Sequence, residues 1–200
     1  ITEEIIKQKL PCDIVWLVKE SEINAEDKYP KGLRRVNLKS KEGIYEFATA
    51  KIVVNNAQSS NIIRNGWRKK EGQVYIQTWH GSFGIKKIGK DIVGGRGREN
   101  WLRMEMLDNE FMDYILSNSD FEDEVFKSTF DLQVKDKILK YGHPRNDLFF
   151  KTYAEKQTIK NEVYKNLNIK KDKKMVLYAP SFRDDKSLKG YDINADMLLT

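Results

Sequence analysis

The sequence predicts an α/β protein organised around a mostly parallel sheet, and three observations predict it. Short apolar segments of strand length alternate with segments whose apolar residues recur at helical spacing. Several of the strand-like segments run straight into polar, glycine-bearing turns, as in Trp79-His80-Gly81 and Tyr141-Gly142-His143. The 200 residues, 40% hydrophobic and 33% charged, carry enough apolar mass for one large domain or two smaller ones. Strands separated by helices imply βαβ units.

The elements follow in order. Residues 1–10 have the pattern of a helix end, with Ile1, Ile5, Ile6 and Leu10 on one side. Asp13 to Val18 reads as a strand, Glu20 to Gly32 as a charged loop, and Leu33 to Leu38 as a second strand. Ser40 is placed to cap a helix reaching Ala50 that would bury Ile44, Phe47 and Ala48. A short strand at Ile52 to Val54 ends in Asn55 and Asn56. Val74 to Trp79 alternates as a further strand, and the glycines at 94, 95 and 97 then read as a mobile stretch. Asp113 to Ser117 is the next strand. Ser119 with Glu122 forms a capping-box pattern for a helix carrying Val125, Phe126 and Phe130. Lys137 to Tyr141 is a strand closed by the turn 142–147, Lys156 to Leu167 a helix, and Lys174 to Ala179 a last strand. A boundary is expected near residue 150, with residues 1–150 one Rossmann-like domain and 151–200 a bridging helix and the start of a second.

Composition narrows the function. A single cysteine, Cys12, cannot form an intramolecular disulfide and fits a reducing compartment. The longest apolar runs are too short to span a bilayer, and no stretch of these residues reads as a signal peptide. The chain starts at Ile1 and stops inside a helix-like pattern, which reads as a piece of a longer protein. Its net charge is +6. Six lysines and arginines against two acids lie between Phe83 and Met104, so most of that excess sits in one segment. Such a segment suits phosphate, whether of a nucleotide, a nucleic acid or an anionic membrane; it is equally the pattern of a solvated face.

The stretch from Val74 to Gly89 holds the chemistry. His80 and Gly81 stand where a strand ends, and ligands of open α/β sheets bind beyond the carboxyl ends of the strands. An imidazole there can act as a base, or it can tie the strand end to a neighbouring loop. Glycine lets a phosphate or another backbone approach closely.

Three motifs in order, TWHG followed by a lysine pair, GHPRND and LYAPSFRDD, resemble the CDP-glycerol glycerophosphotransferases that build teichoic acids and related polyol-phosphate polymers. The resemblance runs from about Val15 to Asp185. It implies a GT-B architecture of two Rossmann-like domains, the second domain truncated here. It also implies transfer of glycerol phosphate from CDP-glycerol to a hydroxyl of a lipid-linked polyol-phosphate or saccharide acceptor. The implied roles are His80 as catalytic base, with Gly81, Ser82, Lys86, Lys87, Arg145, Asn146, Asp147, Ser181 and Arg183 binding substrate or phosphate. On the residues alone, Arg145 to Asp147 could equally cap the next segment, Asn146 above all, and Arg183 could pair with a neighbouring aspartate at the surface. Where His143 stands the family usually carries a different residue, often apolar or aromatic, so the resemblance gives it no role. Asp184-Asp185 lacks further ligands at metal spacing, and no metal or other cofactor is expected.

The implied location is cytoplasmic, peripheral on the inner face of the membrane, with the basic segment on anionic lipid. Other readings are a transferase of ribitol phosphate or of a sugar, a non-catalytic membrane-surface module, and a nucleic-acid-binding module. The last has basic charge and tryptophans but no reading motif, and nucleic acid is not expected as a partner. Because the second domain is cut short, the 200 residues alone are expected to be inactive, to bind CDP-glycerol weakly and to self-associate.

Overall fold

The computed structural model describes residues 1–57, 66–81, 87–93, 98–130, 135–170 and 172–177. The chain divides into two compact units, Ile1–Phe150 and Lys151–Thr200.

The first unit opens with a short helix, α1 (Thr2–Lys7), followed by strand β1 (Val15–Val18) and strand β2 (Arg34–Asn37), which pair in parallel. Arg34 joins the start of this sheet to the following helix, its Nη2 lying 2.7 Å from Asp13 and 2.9 Å from Glu46. That helix, α2 (Lys41–Thr49), is capped by Ser40, whose Oγ accepts from the Gly43 amide at 3.0 Å. Phe47 enters the core as expected and Ala48 packs against it, but Ile44 is 45% exposed. The reason is Gly43. A Cβ there would lie 2.2 Å from the Asn37 carbonyl oxygen, so the helix touches the end of β2 through its glycine face and turns Ile44 outward.

Four further strands form one parallel sheet in the order β3 (Ile52–Asn55), β4 (Val74–Gln77), β5 (Tyr114–Leu116) and β6 (Ile138–Leu139). Its core face carries Val53, Tyr75, Gln77 and Ile115, all buried. Phe47, Trp67, Met112, Phe126 and Phe130 complete the core with Val53, Tyr75 and Ile115. Phe47, Trp67 and Phe111 meet edge to face at 4.7 and 5.3 Å, the geometry the ring quadrupole favours. The alternation read in β4 is correct, and the buried side is the one with a tyrosine and a glutamine.

Helix α3 (Arg98–Phe111) occupies part of the segment read as basic and mobile; residues 94–97 lie outside the described residues. Met104, Leu107 and Phe111 pack on the core. Ahead of α3, the turn Gly89–Asp91 is fastened to helix α4 (Asp120–Phe130) by the hydroxyls of Ser128 and Thr129, which donate to Asp91 at 2.8 and 2.9 Å.

In the second unit, helix α5 (Tyr153–Asn166) begins three residues earlier than the apolar spacing indicates. Thr152 and Glu155 form a reciprocal capping box that sets this start. Tyr164 is buried and its hydroxyl donates to the Lys173 carbonyl at 2.8 Å, while Leu167 is exposed. The strand expected over Lys174 to Ala179 is not formed in its described part, 174–177, which pairs with no described strand; residues 178 and 179 lie outside the described residues.

Candidate functional site

Parallel order puts the carboxyl ends of β3, β4, β5 and β6 along one edge, and each ends in a polar turn. The turns are Asn55-Asn56, Thr78 to Gly81, Ser117 to Ser119, and Gly142 to Asp147. Such an edge is where an open parallel sheet offers backbone polar groups and side chains to a ligand.

At the end of β4 the chain is bent sharply. Trp79 has φ +55°, the left-handed region, which a bulky side chain rarely occupies. Strain of this kind costs on the order of 1–3 kcal/mol and persists only where the surroundings impose it. Here they do. The Trp79 amide donates to the Gln77 side chain at 2.9 Å, and the buried Gln77 in turn donates to the Ala57 carbonyl at 3.0 Å. The indole lies edge-on to Phe130 at 5.1 Å, so its position is set from the core.

The bend delivers His80 to the exposed edge. Its ring lies over Trp79, centroids 4.4 Å apart, and Nδ1 is 2.6 Å from the carbonyl oxygen of Asn56. A carbonyl oxygen only accepts, so Nδ1 carries the proton and Nε2 holds the lone pair. Two contacts thus fix the tautomer and direction of an exposed imidazole, which is what a general base requires. Sequence reasoning found His80 but had no signal for its partner, because the partner is a backbone atom. Gly81 follows, and among the described residues a Cβ there would meet nothing within 4 Å. The described residues do not themselves demand glycine at this position.

Lys87 is exposed, while its neighbour Ile88 packs against the core. Ser82, Lys86, Ser181 and Arg183 lie outside the described residues. The turn after β6 is a short 3-10 helix, Pro144–Phe150, with proline at its first position where no amide bond is lost. The Asn146 amide donates to the His143 carbonyl at 2.8 Å, leaving Arg145 and Asp147 exposed and Asn146 half-buried. Among the described residues Asn146 takes part through its backbone, not as a side-chain cap. The structure therefore brings His80 and Gly81 to the same sheet edge as Arg145, Asn146 and Asp147, with the end of β5 between them.

The end of β5 joins the start of α4, whose first turn holds Asp120, Glu122 and Asp123. These acids are already engaged. Lys140 lies 2.8 Å from Asp123 and also bonds Asp120, and these hydrogen bonds hold its ammonium above its usual value while Lys140 holds the Asp120 carboxyl below its own. Glu122 meets His143 at 2.9 Å. The expected capping box is half formed: the Glu122 amide donates to Ser119 Oγ at 3.2 Å, but the Glu122 carboxylate reaches the Asn118 amide at 2.8 Å and the imidazole of His143. Among the described residues no three His, Cys, Asp or Glu side chains gather as metal ligands.

Comparison with known proteins identifies the family. The chain is 31% identical over 176 residues to a teichoic acid poly(glycerol phosphate) polymerase of Staphylococcus epidermidis, covering 86% of this chain and 23% of that protein. It is 32% identical over 187 residues to a polymerase of the same description from Bacillus spizizenii, covering 90% of this chain and 44% of that one. Among solved structures, the wall teichoic acid polymerase TagF matches with a TM-score of 0.79 and 30% identity over 92% of this chain and 43% of its own. The fold is α/β and GT-B-like, and the chain spans less than half the length of these relatives. Residues 1–199 match the family described as CDP-Glycerol:Poly(glycerophosphate) glycerophosphotransferase, and the chain belongs to that family.

Proposed function

We propose that the protein containing this chain transfers glycerol phosphate from CDP-glycerol to a hydroxyl of a lipid-linked polyol-phosphate or saccharide acceptor in the synthesis of a teichoic-acid-type polymer. The acceptor oxygen attacks the phosphorus that carries the glycerol. As that bond forms, the bond from the same phosphorus to the bridging diphosphate oxygen breaks, and CMP leaves with the electron pair. The acceptor proton passes to Nε2 of His80. Phosphoryl transfer of this kind depends on positioning and on positive charge at the phosphate oxygens, which Lys87 and Arg145 would supply.

The observation that carries the reading is the 2.6 Å bond from His80 Nδ1 to Asn56, which leaves Nε2 as the exposed lone pair on the sheet edge. The lack of any described atom within 4 Å of a Cβ at Gly81 is compatible with a phosphate next to it. Among the described residues no helix is long and apolar enough to cross a membrane. A lipid-linked acceptor would bring the protein to the cytoplasmic face as a peripheral enzyme, docked on anionic lipid.

The test is CMP release by the full-length protein from CDP-glycerol with a lipid-linked glycerol-phosphate acceptor. Acceptor-dependent release supports the reading. Release only from CDP-ribitol, or from a nucleotide sugar, would transfer the assignment to that donor, and no release from any of them would overturn it. Flotation with and without phosphatidylglycerol in the vesicles tests the membrane part.

A further inference from the structure

His143 is buried, and so is Glu122 opposite it; their side chains are 0% and 3% exposed. Nε2 of His143 lies 2.9 Å from both oxygens of Glu122, so its N–H is shared between them. Nδ1 has no hydrogen-bond partner among the described residues. Glu122 is thus the ring's single polar anchor there, and the Asn118 amide is the only other described donor to that carboxylate. The two residues belong to different elements. Glu122 sits in the first turn of α4, next to the end of β5, and His143 begins the turn that carries Arg145. The His143 carbonyl takes the Asn146 amide at 2.8 Å, and the Gly142 amide donates to the Ser117 carbonyl at 2.9 Å. Lys140, just before the turn, bonds Asp120 and Asp123 of the same helix start.

We propose that Glu122 and His143 are a positioning pair: they lock the 143–147 turn onto the start of α4 and so hold the exposed guanidinium of Arg145 at the carboxyl edge that presents His80. The inference rests on the reading of that edge as a phosphoryl-transfer site. Neither residue touches substrate; both act through Arg145. Burial makes the pair stiff, because a carboxylate and an imidazole enclosed together have no water to exchange with, and losing one leaves the other unpaired. A guanidinium displaced by about 1 Å from a phosphate can lose on the order of a hundredfold in rate.

Two measurements test this in the full-length protein. The first is substrate-free: hydrogen exchange of the Asn146 amide in His143→Phe, which keeps a flat ring without the donor, and in His143→Gln, which keeps one. Faster exchange in His143→Phe and near-native exchange in His143→Gln is expected; unchanged exchange in His143→Phe overturns the lock. The second is a cycle in kcat/KM for CDP-glycerol. His143→Phe should cost about 10- to 100-fold alone and nothing further in an Arg145→Ala background. Equal losses in both backgrounds would mean that His143 acts on stability and not through Arg145. Should His143→Phe fold poorly, Glu122→Met with His143→Phe removes both partners. It should regain thermal stability and keep the kinetic defect; regained activity would overturn the proposal. Absence of CDP-glycerol turnover in the unaltered protein would instead overturn the site reading, and the positioning of Arg145 with it, while the exchange result still decides the lock.

Discussion

Replacing Gly89 by alanine measures how firmly the basic segment is fixed to the domain. Gly89 has φ +55°, and a Cβ there would come within 2.4 Å of Thr129 Cγ2 and 2.7 Å of the Thr129 carbonyl oxygen. Two costs combine. An L-residue in the left-handed region loses about 1–2 kcal/mol. Forcing a methyl group into a filled space costs about 1–3 kcal/mol more. Thr129 cannot simply rotate away, because its hydroxyl is bonded to Asp91 and its carbonyl belongs to the backbone of α4. Gly72 supplies the control: its φ is +80° but a Cβ would meet nothing within 4 Å among the described residues, so Gly72→Ala should carry the conformational cost alone. Gly89→Ala should therefore lose about 2–5 kcal/mol. Urea unfolding followed by tryptophan fluorescence reads this out, since all four tryptophans lie in Ile1–Phe150. Equal midpoints for the two variants at equal slope would show that Gly89 is not docked on α4, and would reopen the segment as a free membrane-facing strip.

Three further outcomes follow from the packing. Phe126→Ala, at a fully buried position stacked on Phe130 at 5.7 Å, should cost about 3–5 kcal/mol in the same assay, and a loss below 1 kcal/mol would contradict the core described above. Ser40→Ala removes the cap of α2 and should cost about 1 kcal/mol, whereas Ser40→Asp should restore most of it. At the start of α5, hydrogen bonds from the Thr152 hydroxyl and amide hold the Glu155 carboxyl below its usual value. A depressed carboxylate stabilises the fold above its unfolded value, and that contribution is lost as pH falls through the lower folded value. The Thr152 amide resonance should shift as pH drops through that window, and a flat titration would show that the box does not form.

The strands of Ile1–Phe150, the Ser40 cap and the position of His80 were legible because each has a local cause: alternation, a side-chain cap, a strand end followed by glycine. Helix α3 was not. Its buried side includes Glu105 and Asp108, 2% and 3% exposed, and a pattern search for apolar stripes rejects a helix that buries acids. The core side of β4 likewise runs through Gln77, whose burial makes sense only once it is seen bracing Trp79 and Ala57. Glu122 was read as a helix cap. It became the anchor for His143 because the end of β6 arrives beside it, and a contact between residues 21 apart in sequence leaves no periodic trace. Phosphate-binding roles for Lys87 and Arg145 came from resemblance, since an exposed cation looks the same whether it meets solvent or substrate.

The central claim is that His80 is the base and that Asn56 fixes it for that task. His80→Asn in the full-length protein tests it most directly, because the asparagine amide can still donate toward the Asn56 carbonyl while the titratable nitrogen is gone. Steady-state CMP release from CDP-glycerol should fall by on the order of a hundred- to ten-thousand-fold in kcat, with CDP-glycerol affinity little changed. Turnover within a few-fold of the unaltered protein would contradict the account and leave His80 as a residue that ties the end of β4 to the Asn56 loop.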